Sequence, residues 1–146
     1  MKRKDFDYCI KENELIETGD TDKSLALELL KLAEHRQSFW NEVKLEDKYP
    51  SLYIEGHYEI IKELCTAILA LDGWKATNHE CLFAYLREEK NNLEIDFDYL
   101  LELKDTRNAI DYRGTKVSPD LWKSNKLKVQ ITIKTLVSYL KVKLNS

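Results

Sequence analysis

Glycine and proline are scarce in this chain. Gly19, Gly56, Gly73 and Gly114 are the only glycines and Pro50 and Pro119 the only prolines among 146 residues, too few for the many tight turns of an all-β sandwich or barrel. Long helices are expected instead. No apolar run approaches the length of a membrane span, and the charged start Met1 to Asp7 is not followed by a signal-peptide core. The expectation is a cytoplasmic protein without membrane contact. Cysteine is sparse as well: Cys9, Cys65 and Cys81 form an odd count with no Cys-x-x-Cys spacing. That pattern indicates neither a disulfide framework nor a zinc site, and the thiols read as reduced, two of them filling the core. Charge of one sign does not dominate, since 23 Lys and Arg face 26 Asp and Glu for a net charge of -3, which removes a global electrostatic case for nucleic acid. Glycine-rich phosphate loops, the nucleophile elbow and His-Glu-x-x-His are absent, so no metal or cofactor is expected.

What is present suits one globular unit. The apolar share is 43% and the charged share 34%, a balance that excludes disorder. A single domain over residues 1–146 buries roughly 70% of the surface that its unfolded chain exposes. Leu25, Leu29, Leu32, Phe39 and Val43 step along one helical face and predict a helix from about Asp22 to Lys44. Pro50 suits the first turn of the next helix, where Tyr58, Ile61, Leu64, Cys65, Ile68, Leu69 and Leu71 are apolar over most of the circumference up to Gly73. It reads as the central helix. Thr77 to Glu80 has the form of a capping box opening a short helix to about Glu89. Asp96 caps a helix buried through Leu100, Leu103 and Ile110 and ended by Gly114, and Ser118-Pro119 opens a last helix buried through Leu121, Val129, Ile133, Leu136 and Leu140. A further short helix is expected around Asp5 to Ile16. The predicted fold is all-α, an up-and-down antiparallel bundle of five to six helices.

His35, His57 and His79 fall on three different predicted helices with no i, i+4 ligand partner, and read as surface or capping residues. Tyr53, Tyr58, Tyr85, Tyr99 and the three tryptophans read as core or rim. Arg107 is the exception, because it sits midway along the Leu100, Leu103, Ile110 face that ought to be buried. A buried unpaired guanidinium costs several kcal/mol, so it must pair, snorkel or face a partner. One reading is an ion pair with Asp111, Glu63 or Glu59. The other is a polar cluster of Arg107, Asn108 and Tyr112 at the mouth of the bundle.

The run Asp105-Thr106-Arg107-Asn108-Ala109-Ile110-Asp111-Tyr112-Arg113-Gly114 follows the Tyr58 to Leu64 helix, the Gly73-Trp74-Lys75 turn and Asn78-His79. Together they resemble the HEPN domains of prokaryotes, over about Asp20 to Ser138. The resemblance implies a helical bundle that dimerises, and often a ribonuclease toxin in which an Arg-Asn pair and a histidine a few residues beyond meet their symmetry mates. It maps Arg107 and Asn108 onto the pair, whereas Tyr112 stands where the histidine is expected. A phenol titrating near 10 moves a 2′-hydroxyl proton poorly. The resemblance thus implies catalytic positions at Arg107, Asn108 and Tyr112 and a homodimer, and the candidate binding residues are Arg107, Asp111, Arg113 and Lys62, with Arg107 and Arg113 the ones suited to a phosphate. It also implies a nucleotidyltransferase partner, which does not depend on the lost histidine. Three readings stay open: the toxin-like half of such a pair with weak or no nuclease activity, a metal-independent endoribonuclease, and a nucleotide-binding bundle.

Overall fold

The computed structural model describes residues 3–145. Among them lie helices α1 (Phe6–Lys11), α2 (Lys23–Glu42), α3 (Pro50–Asp72), α4 (His79–Glu89), α5 (Phe97–Arg113) and α6 (Pro119–Leu144), and the strands β1 (Leu15–Glu17) and β2 (Trp74–Ala76). The all-α expectation holds for the bulk of the chain. The strands pair antiparallel with Ile16 opposite Lys75, so the region expected as a helix to Ile16 instead stops at Lys11 and turns through Asn13, whose φ is 57°. The stretch read as a turn at Gly73-Trp74-Lys75 is the entry to β2.

Helix α3 is the axis of the molecule. It packs against α2, α6, α5, α4 and β2, and its Ile60, Ile61, Leu64, Cys65 and Ile68 are fully buried. Burying each such aliphatic side chain contributes about 1.5–3 kcal/mol. Pro50 occupies the first turn and Gly73 takes the left-handed conformation beyond the last (φ 77°), the arrangement that the missing N–H of proline and the missing Cβ of glycine favour. Asp22, Asp96 and Ser118 each accept the backbone N–H three residues on, from Leu25, Tyr99 and Leu121. Gly114 closes α5 with φ 61°.

Two local expectations are corrected. The α2 stripe is rotated: Ala26, Leu30 and Ala33 are buried, Leu29 and Val43 are half-buried, and Leu25, Leu32 and Phe39 are exposed. The inner face is thus shared by Leu30 and two small alanines, which a stripe read from the large residues alone passes over. The capping box also shifts by one residue. Asn78 caps α4 by accepting from the Cys81 N–H at 2.9 Å, the Thr77 hydroxyl points to the Glu14 carbonyl, and Glu80 accepts from the Lys4 N–H at 2.7 Å. Leu121, expected in the α6 stripe, is exposed, while Val129, Ile133, Leu136 and Leu140 are buried as expected.

The cysteines were expected to be reduced, and two of them are bonded. Cys9 on α1 and Cys81 on α4 form a disulfide with Cα atoms 5.7 Å apart, and only Cys65 is free. The β1–β2 pairing draws α1 onto α4 across a separation of 72 residues, a proximity that an odd cysteine count cannot reveal. Closing so long a loop restricts the unfolded chain, so Cys81→Ala is expected to lower stability by about 2–5 kcal/mol. Urea unfolding of the two proteins under non-reducing conditions measures the difference, and equal midpoints would contradict it.

Candidate functional site

Arg107 leaves α5 half-buried between α5 and α3. Its Nε lies 2.9 Å from Asp111 Oδ2, one turn on along the same helix, and a terminal nitrogen lies 3.7 Å from Glu59 Oε1 on α3. A further N–H donates to Asn108 Oδ1 at 3.2 Å. Beneath the guanidinium lies the Tyr58 ring, 5.8 Å from its carbon to the ring centroid, close enough for a cation–π attraction. Of the three carboxylates expected as partners, Asp111 and Glu59 take the role. Glu63 is bound elsewhere, with its Oε1 accepting from Arg36 Nε at 2.9 Å.

The cluster extends past Arg107 in two directions. Glu59 also pairs with Lys62 at 2.6 Å, which brings Lys62 into the same network. Glu55, one turn before Glu59, is raised above its ordinary carboxyl value by burial and then by the neighbouring Asp111 charge. On the other side the Tyr58 hydroxyl meets His79 Nδ1 at 2.8 Å. Burial first, and then the positive charges of Lys62 and Arg107, hold His79 below its ordinary value, while burial raises the Tyr58 phenol. A protonated phenol thus faces an imidazole held toward its neutral form, a hydrogen bond between two uncharged groups.

The structure therefore brings together Arg107, Asn108, Asp111 and Lys62, and leaves Tyr112 and Arg113 outside. Tyr112 is 78% exposed and does not fold under the following loop. Glu55, Tyr58 and His79 belong to the cluster but were not singled out as functional. The signal was faint: Glu55, Glu59 and Lys62 recur every three or four residues on a helix otherwise apolar nearly all round. Cys9, Glu14 and Cys81 also converge, with ligand atoms within 4.8 Å, but the two sulfurs are bonded to each other and offer no thiolate. A cavity of about 890 Å³ adjoins the cluster, lined by Lys62, His79, Glu63 and Trp74 among others. No protein-family model, curated protein or solved structure matches the chain.

The lowered His79 gives a signed pH dependence. The unfolded imidazole takes up a proton near pH 6.5, which the folded one resists, so stability is full above about pH 6.5 and is lost as pH falls below it. His57, also lowered by burial, acts in the same direction. Glu63, raised by burial, acts in the opposite one, its contribution being present at low pH and lost as pH rises through its folded value. The urea midpoint is expected to be higher at about pH 7.5 than at about pH 5.5, with a smaller difference in His79→Gln. An unchanged difference in the variant would remove His79 as a contributor.

Proposed function

We propose that the protein is a HEPN-type helical bundle, the toxin-like component of a pair with a nucleotidyltransferase, with little or no nuclease activity of its own. The observation that supports this reading is the state of Arg107. Its guanidinium fork, the group that would grip a phosphate, is occupied by Asp111, Glu59 and Asn108 of its own chain. The position where the resemblance calls for an imidazole carries Tyr112, whose hydroxyl stands free in solvent. An exposed hydroxyl suits an acceptor of a transferred nucleotide better than a general base. A phosphate attached there would lie on the same turn as Arg113. The reading is for a cytoplasmic homodimer. In that compartment the Cys9–Cys81 bond would be protected by burial, since both residues are wholly buried and thiol exchange needs access to a sulfur. The exposed Leu25, Leu32 and Phe39 of α2 supply apolar surface for a second copy to cover.

A second reading, a metal-independent endoribonuclease, draws on His79. This imidazole reaches the cluster from α4 through Tyr58, so a neutral histidine does stand near Arg107 even though it comes from a different part of the chain. Both readings meet in one assay of RNA cleavage in chelator. The first expects no cleavage by the natural chain, and a nucleotide-sized mass gain on incubation with a minimal nucleotidyltransferase, ATP and magnesium that is absent in Tyr112→Phe. Cleavage abolished by both Arg107→Ala and His79→Ala, with the helical spectrum intact, would overturn the first reading in favour of the second. Neither cleavage nor mass gain would count against both.

A further inference from the structure

A cavity of about 610 Å³ lies between the 43–49 connection and α6 and shares no residue with the Arg107 cluster. It falls in the size range of small-molecule sites. Its inner wall is a set of packed rings. The His57 imidazole stands 4.6 Å from the Trp122 ring and 5.6 Å from Trp40, and Trp40 stands 4.8 Å from Tyr53, centroid to centroid. Trp40 can lie so close to α3 because Gly56 presents no Cβ where its indole sits.

The wall is held in place by polar contacts that leave one acceptor over. The Tyr53 hydroxyl donates to the Val43 carbonyl at 2.7 Å and accepts the Leu45 N–H at 2.9 Å, fastening the start of the connection to α3. Glu46 fastens its middle to α6, accepting from Trp122 Nε1 at 3.2 Å and from Lys126 at 2.8 Å. Asp47 pairs with Lys123 at 2.9 Å. His57 is 7% exposed, and its Nδ1 lies 2.7 Å from the Tyr53 carbonyl. A carbonyl oxygen can only accept, so Nδ1 carries the proton and Nε2 of the neutral ring is the acceptor, on a residue that lines the cavity. The rim carries a cationic surplus: Lys123 and Lys126 are matched by Asp47 and Glu46, whereas Lys44 and Lys48 line the same cavity with no carboxylate partner among the described residues, the Lys48 ammonium lying 5.2 Å from the centroid of the Tyr49 ring.

We propose that this cavity is a binding site for a planar aromatic anion: a small ring system with an N–H or O–H donor for His57 Nε2, and a phosphate or carboxylate for Lys44 and Lys48. The half-buried Trp40 indole provides apolar, polarisable surface, with Trp122 and Tyr53 buried behind it, the imidazole fixes orientation, and the lysines select charge. Because the connection is fastened on both sides before any ligand arrives, little ordering is left for binding to do.

Calorimetric titration of the full chain tests this, with Trp40 and Trp122 as fluorescent reporters. Four probes separate the contributions: adenosine monophosphate, indole-3-carboxylate, adenosine and inorganic phosphate. Saturable binding of either aromatic anion, at least about tenfold tighter than adenosine or phosphate alone, is the expected result, and which of the two binds identifies the anionic group. Lys44→Glu with Lys48→Glu, on the exposed connection, should weaken that binding about tenfold or more, while Arg107→Ala leaves it unchanged. The proposal is overturned if neither aromatic anion binds at millimolar concentration, if phosphate alone binds as well, or if the lysine variant binds like the natural chain.

Discussion

Enclosure of α3 is the constraint from which the rest follows. A helix packed against four other helices and a strand is expected to answer its buried polar groups, because a buried donor or acceptor without a partner costs more than a made hydrogen bond returns. Yet α3 carries Tyr53, His57, Tyr58, Glu59 and Glu63 along with its aliphatic residues. Four are answered from different parts of the chain: Tyr53 by the 43–45 connection, Tyr58 by His79 on α4, Glu59 by Arg107 on α5, and Glu63 by Arg36 on α2, while His57 bonds the Tyr53 carbonyl of α3 itself and packs on the α6 indole. The polar groups of α3 thereby specify which neighbour lies on which side, a task that interchangeable aliphatic contacts perform weakly. Glu63 keeps one cost of this arrangement, since its Oε2 is buried without a partner.

The same logic separates the two candidate sites. Arg107 belongs to a closed network in which its positive charge is matched twice within the chain, and the groups that remain exposed, Tyr112 and Arg113, stand outside it. The cavity at the 43–49 connection is open in the opposite sense. Its walls are fastened to one another, while the His57 acceptor and the Lys44 and Lys48 ammonium groups have no carboxylate or donor partner among the described residues, Lys48 meeting only the Tyr49 ring. One site is a structural clamp with an exposed tail, the other an open cavity with a cationic rim.

Helix ends were legible in the sequence because they are decided by one or two residues in a row. Asp22, Asp96 and Ser118 cap where they stand, Pro50 and Pro119 begin helices, and Gly73 and Gly114 end them. Features set by distant residues were not legible. The inner face of α2 went to Ala26, Leu30 and Ala33, and periodicity among large residues does not weigh the two alanines. Cys9 met Cys81, and Thr77 and Glu80 were drawn from their capping box toward Glu14 and Lys4, because the β1–β2 ribbon folds the start of the chain over α4. Arg107 was legible as an anomaly, and its carboxylate partners were among those its position allowed. Tyr58 and His79 were hidden because a tyrosine and a histidine on separate helices carry no shared spacing.

The Cys9–Cys81 bond also imposes an order of events on a growing chain. At synthesis rates of roughly 5–20 residues per second, Cys9 waits on the order of 4–15 s for its partner to be made. Cys65 is made first, and a bond between Cys9 and Cys65 would pull the middle of α3 out of the core. Cys65 is wholly buried in the folded chain, where burial pushes its thiol far above the usual range and keeps it out of the reactive thiolate form. The packing of α3 therefore does more than stabilise: in the finished fold it holds the third sulfur out of exchange with the Cys9–Cys81 pair.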